Sequence, residues 1–219
     1  MERYQIGILL AEKSIYKKEK TLIVRKIILL LSLALFFTSC DVTKSLSGTY
    51  NLTQCQYKYN SINGLTLAGV NLQNVTSLSS LNPITAANLI AAFGKSSIPL
   101  QFTLNLDIKN PNNQQALLNG LQYIIEIDNV EMTTGSIDSR IQIASGQTAQ
   151  LPVNIAFDLK KAMSGQSGDA IKNMAFNFVG LGDKPSNVTV RLKPSVDIGG
   201  KLIPVPFYIP VSFSYGGKG

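Results

Sequence analysis

The chain has 219 residues, room for one domain of ordinary size with a leader, and its charged fraction of 15% is low beside the usual value of about 25%. The net charge of +7 lies largely at the start: residues 1–39 carry +4 and the remainder +3. That remainder has no basic stripe interleaved with aromatics, which excludes a nucleic-acid partner. Histidine does not occur, so neither a Ser-His-Asp or Cys-His catalytic site nor a zinc site of the usual type can be built.

Arg25 and Lys26 precede Ile27 to Phe37, eleven residues that are apolar apart from Ser32. A bilayer-spanning helix needs about 20, so the run has the length of a signal-peptide core. It ends in Phe37-Thr38-Ser39-Cys40, and a small residue directly before a cysteine resembles a bacterial lipobox. Processing of that kind removes residues 1–39, places diacylglycerol on the Cys40 sulfur and usually adds an acyl chain to its amine. Several chains hold stably where one holds only marginally. The alternatives are an uncleaved anchor or a plain secretory signal. With Cys40 acylated, Cys55 has no partner for a disulfide and reads as a buried small hydrophobe.

Residues 40–49 are expected to form a flexible tether, and 50–219 a single domain. Tyr50 to Tyr59 reads as a first strand with a bulge near Thr53-Gln54. Asn63-Gly64 signals a turn, followed by a second strand through Leu65, Leu67, Val70 and Leu72, interrupted at Gly69. Residues 82–94 read as a helical insertion: Asn82 as N-cap, Pro83 in the first turn, alanines within, Gly94 at the end.

The cleanest signal is Leu100 to Lys109, where Leu100, Phe102, Leu104, Leu106 and Ile108 alternate with polar residues. That describes a strand with one face on a core. Asn110-Pro111-Asn112-Asn113 stops it and turns the chain. Strands follow at Leu121–Ile127, Ile141–Ile143 and Leu151–Phe157, with turns at Asp128-Asn129 and Ser145-Gly146. Asp158 caps a brief helix, and a late helix spans about 169–179, with Ile171, Met174, Ala175 and Phe178 on one face. Val188, Val190 and Leu192 mark another strand. Gly199-Gly200 reads as a hairpin turn, and Val205 to Tyr215 as a last strand that Pro206 and Pro210 confine to an edge. The class is mainly β, an immunoglobulin-like antiparallel sandwich of about seven or eight strands.

The order from Leu100 to Phe157 resembles the LEA-2 group of late-embryogenesis-abundant proteins, also called the water-stress and hypersensitive-response domain. The resemblance rests on Leu104 to Asn112 with its Asn110-Pro111-Asn112 turn, Tyr123 with Ile125, Gly135, and Gln150 to Ile155 with Pro152, and it covers roughly residues 98–215. It implies a β-sandwich with a late helix and no catalytic activity, in a group linked to tolerance of drying. The helical insertion departs from the group's pattern.

Asp107, Glu126, Asp128, Glu131 and Asp138 fall at the alternation of a solvated sheet face, so neither a metal site nor a catalytic pair is expected, and no cofactor. The expected protein is a non-enzymatic module on the bacterial cell envelope, anchored through Cys40 to the outer membrane and facing the periplasm, protective under stress or engaged in interactions. The alternative is an envelope binding subunit that captures a glycan, lipid or protein partner through its edge strand or the 82–94 insertion.

Overall fold

The computed structural model describes Lys26 and residues 40–217. The apolar run 27–37 and the residues just before Cys40 lie outside the described residues. By its contacts the chain divides between Lys44 and Ser45, and the second unit, Ser45–Gly219, holds the fold.

Its elements run α1 (Cys40–Thr53, whose residues from Ser45 belong to this unit), β1 (Gln56–Leu67), β2 (Val70–Asn71), a 3-10 turn (Leu78–Ser80), α2 (Pro83–Ala92), β3 (Pro99–Lys109), β4 (Ala116–Leu118), β5 (Leu121–Ile127), β6 (Val130–Ile137), β7 (Ile141–Ile143), β8 (Thr148–Asp158), α3 (Leu159–Ala162), α4 (Gly168–Phe178), β9 (Ser186–Ile198), β10 (Lys201–Pro204) and β11 (Ile209–Tyr215). One antiparallel sheet has the order β2-β1-β3-β8; the other runs β10-β9-β5-β6 with β11 also on β9; β4 and β7 form a small third pair. The protein is mainly β, as the alternation implies, with eleven strands among the described residues because several are only two to four residues long.

The two large sheets face each other. Tyr59 of β1 stacks on Phe213 of β11 with ring centroids 4.1 Å apart. Phe102 of β3 meets Phe178 of α4, which meets Tyr215 of β11. The apolar face of β3, from Leu100 to Ile108, is buried in full, and each such side chain contributes about 1.5–3 kcal/mol by leaving water. Asn105, on the expected wet face, is buried as well and donates to Ser61 Oγ at 3.1 Å.

Several local expectations hold. Asn82 caps α2 by accepting from the Thr85 N–H at 2.8 Å. Asp128 and Asn129 both take positive φ, 50° and 66°, as a two-residue β5–β6 hairpin requires. Asp158 caps α3, and α4 buries Ile171, Met174, Ala175 and Phe178. Its cap is Ser167, two residues before the expected opening at Asp169.

Other expectations are corrected. Residues 40–49 are helical and not a loose tether, and α1 continues to Thr53 where a strand was expected. Ser45, Gly48, Thr49 and Leu52 are its buried residues among those described, spaced as one helical stripe. The parity break at Thr53-Gln54 is therefore a helix-to-strand junction, not a bulge. Asn63-Gly64 is no turn: β1 runs through it, with Gly64 at φ 63° and the register against β3 shifting between Asn63 and Thr66. The reversal comes at Ala68-Gly69. The last strand is shorter than expected: β11 starts at Ile209, and Val205 to Tyr208, with Pro206 among them, lie outside it. Pro210 does lie in a strand with β9 as its one partner.

Candidate functional site

The residues singled out by sequence fall into two clusters and one isolated position. Asn110 is fully buried where β3 ends. Its side-chain amide donates to the carbonyls of Gln114 (2.8 Å), Ile143 (3.0 Å) and Ala144 (3.2 Å), and its carbonyl Oδ1 accepts from the backbone and side-chain N–H groups of Asn112 at 3.0 and 2.8 Å. The Asn110 N–H reaches the Gln147 carbonyl, and the Gly146 N–H returns to the Asn110 carbonyl, both at 2.9 Å. Asn112 then donates to the Asn51 carbonyl at the end of α1, and Asn51 donates to the Gln115 carbonyl, again at 2.9 Å. One asparagine pair thus ties α1, the β3–β4 connection and the β7–β8 turn together. Pro111 stands exposed between them.

Gly135 and Pro152 belong to the second cluster. Gly135 sits opposite Tyr123 across the β5–β6 ladder, and a Cβ there would fall on the tyrosine ring. The Tyr123 hydroxyl crosses to the other sheet and donates to the Asn154 carbonyl of β8 at 3.2 Å. β8 has only β3 as a strand neighbour in its sheet, which is why Pro152, without an N–H, is tolerated there. Cys40 is the first residue of α1.

Sequence reasoning missed a cleft of about 620 Å³ at the end of the sandwich where β1 meets the start of β3. It is lined by Leu65, Leu72 and Val75, by Gln73 and Asn74, and by Val179, Tyr215 and Gly216. Gln73 spends its side-chain oxygen on the Leu65 N–H at 3.4 Å. The lining holds no carboxylate, amine or thiol.

The titratable groups elsewhere have structural settings. Burial pushes the Cys55 thiol up to about 11, and its Sγ–H donates to the Asn51 carbonyl. Burial raises Tyr57 too, whose hydroxyl donates to the Leu52 carbonyl at 2.8 Å. Asp107 accepts from Asn60, Glu126 pairs with Arg191 and sits opposite Glu131 across the β5–β6 ladder, and Asp128 accepts from Ser186 and the Asn187 N–H. Among the described residues no three acids or cysteines gather as a metal site.

Residues 105–210 match the family model described as late embryogenesis abundant protein, LEA_2. No curated protein matches the chain. Among solved structures, a protein from Archaeoglobus fulgidus is similar at 13% identity over 72% of this chain and 97% of its own, with a TM-score of 0.34. A protein from Arabidopsis thaliana is similar at 6% identity, covering 75% of this chain and 80% of its own, TM-score 0.35. One described as a "putative late embryogenesis abundant (LEA) protein" is similar at 11% identity, covering 86% and 88%, TM-score 0.36.

Proposed function

We propose that this chain is a non-catalytic, lipid-anchored envelope protein of the LEA-2 type, held to the outer membrane through Cys40, facing the periplasm and protecting or engaging envelope components under water stress. The observation that carries the reading is the family match over 105–210, which begins in β3 and spans the Asn110–Asn112 tie, Gly135 and Pro152. The anchor is supported by the apolar run at 27–37 ending in Thr38-Ser39-Cys40.

The outer sheet surfaces fit a protein that works where water is scarce. Their cross-strand contacts are largely neutral: Thr103 donates to Asn154 at 2.8 Å, Thr189 pairs with Ser212 at 3.0 Å, and Ser214 donates to Asn187 at 3.1 Å. Such pairs keep their partners as solvent is withdrawn, whereas unpaired charges lose their hydration. The cleft's lining brings together no carboxylates, amines or thiols, the convergent groups that most catalysis needs.

The test is fractionation of cells that express the full chain, with mass spectrometry of the mature N-terminus. Wild type is expected in the membrane fraction with a diacylglyceryl Cys40 as first residue, and Cys40→Ala in the soluble fraction or unprocessed. Equal membrane retention of both without acylation would overturn the anchor. Loss of desiccation tolerance on deletion of the gene, restored by wild type, is the expected phenotype.

A further inference from the structure

We propose that the β9–β10 hairpin is a second membrane contact, seated at headgroup depth in the same bilayer that holds the acyl chains of Cys40. The proposal rests on the anchoring reading above and names what the folded domain does at that surface.

The hairpin continues past the end of β5. Pairing of β9 with β5 ends at Pro194, and Ser195 to Ile198 pair with β10 around the Gly199-Gly200 turn, whose φ values are 61° and 85°. All four β10 residues are exposed. Among the described residues nine large apolar side chains are exposed, and five of them fall in this one stretch: Ile198, Leu202, Ile203, Phe207 and Tyr208. Such concentration marks a contact surface, since apolar residues scattered singly need no explanation.

Chain length says what covers it. The Asp197 N–H donates to Ser45 Oγ at 3.0 Å, and the Asn119 side chain donates to the same oxygen at 3.0 Å. Ser45 is five residues after Cys40, and five extended residues span at most about 18 Å. Acyl chains on Cys40 therefore bring the bilayer to the hairpin's side of the domain.

Chemistry favours lipid over protein. Register puts Ile198 and Ile203 on one face of the hairpin, and Leu202 on the other, where its side chain packs against Gly120. Lys201 at the tip has a stem long enough to keep its amine among phosphates while its methylenes lie against lipid. Asp197 spends one carboxylate oxygen on the Gly200 N–H at 2.9 Å. Tyr208, with the Lys193 amine 5.3 Å from its ring centre, has the amphipathic character of interfacial aromatics. The outer edge of β10 limits depth, because its unpaired backbone groups need water or headgroups and cannot enter hydrocarbon.

The chain contains no tryptophan, so Ile203→Trp, on the face away from Gly120, supplies a single fluorescent reporter. Ile84→Trp is the control: Ile84 is 75% exposed on α2, which leads into β3 at Pro99. The α1 end of the domain lies against Lys109, at the far end of that strand about 33 Å away. Each full-length acylated variant is reconstituted into phosphatidylethanolamine–phosphatidylglycerol vesicles with and without brominated acyl chains. The expected result is blue-shifted emission from the Ile203→Trp protein, at least twofold quenched by brominated lipid, with the Ile84→Trp protein unquenched. Flotation with the vesicles but no quenching of the Ile203→Trp protein overturns the hairpin contact and leaves the anchor standing. A blue shift without quenching places the indole against protein, its own domain or a second copy, and overturns the contact equally. Failure of the acylated protein to float overturns the anchor and the hairpin contact together.

Discussion

The ring of Tyr123 occupies the space that any side chain at position 135 would need, and its hydroxyl reaches past the core to the Asn154 carbonyl on the opposite sheet. Gly135 is thus required by its neighbour's volume and not by its own backbone. Gly135→Ala should cost about 1–3 kcal/mol through overpacking. In a Tyr123→Leu background the same substitution should cost markedly less, because the ring is gone. Chemical denaturation of the four proteins of that cycle checks the coupling, and equal costs in both backgrounds would show that the ring is not what excludes a side chain.

Asn110 offers a second test, since its buried amide serves three carbonyls on two different loops. Asn110→Leu keeps the approximate size and strands those acceptors, so a loss of about 3 kcal/mol or more is expected. Asn112→Ala should cost less, because Asn112 joins the network from its partly exposed side. The two losses should be less than additive in the double variant, since each breaks the bonds they share. Urea unfolding midpoints give all three values.

How far these features were legible in the sequence depends on whether the signal is local. The β3 alternation is, and every apolar residue from Leu100 to Ile108 points inward as period two demands. So is the Asp128-Asn129 turn, whose two residues are among the few that accept positive φ cheaply. Helix α1 is hidden because three of its four buried stripe positions are Ser45, Gly48 and Thr49, which carry no hydrophobic signal, while the tyrosines from Tyr50 onward read as strand. Gly64 was misread because a left-handed glycine serves a bulge as well as a turn. Sequence marks Asn110 as a turn residue, but its role as a tie depends on carbonyls more than thirty positions away. The cleft beside Leu65 and Tyr215 joins residues about 150 positions apart, beyond the reach of any local pattern.

Thr49 is 2% exposed, and its hydroxyl has no hydrogen-bond partner. Replacing it with the isosteric valine removes an unsatisfied polar atom without leaving a hole. Thr49→Val should therefore stabilise the protein by about 1 kcal/mol, raising Tm by a few degrees. Calorimetry decides it; a lowered Tm would mean that the hydroxyl is satisfied after all, for instance by a buried water.

Cys55 should be inert in the folded protein, being walled off and held protonated. A raised folded value contributes stability in full below the unfolded thiol's value near 9.0, and that contribution fades as pH climbs toward about 11. At pH 8, iodoacetamide should label the native thiol at least a hundredfold more slowly than the urea-unfolded one. Comparable rates would place Cys55 at the surface.

On the acid side the sensitive group is Asp158. Burial pushes its carboxyl up, but the Ser97 hydroxyl and the N–H groups of Ile98, Lys161 and Lys160 outweigh that and hold it below its ordinary value of 3.8. A lowered folded value means stability that is present above pH 3.8 and disappears as pH falls through the folded value. The loss has a structural meaning: Asp158 caps α3 while binding Ser97 and Ile98 just before β3, so protonation loosens the cap and the strand entry together. Asp158→Asn keeps a capping oxygen but cannot titrate, so it should be modestly less stable at pH 7 and show a shallower loss between pH 5 and 2. Thermal melts across that range check the slope, and parallel curves for the two proteins would assign the acid sensitivity to another carboxylate.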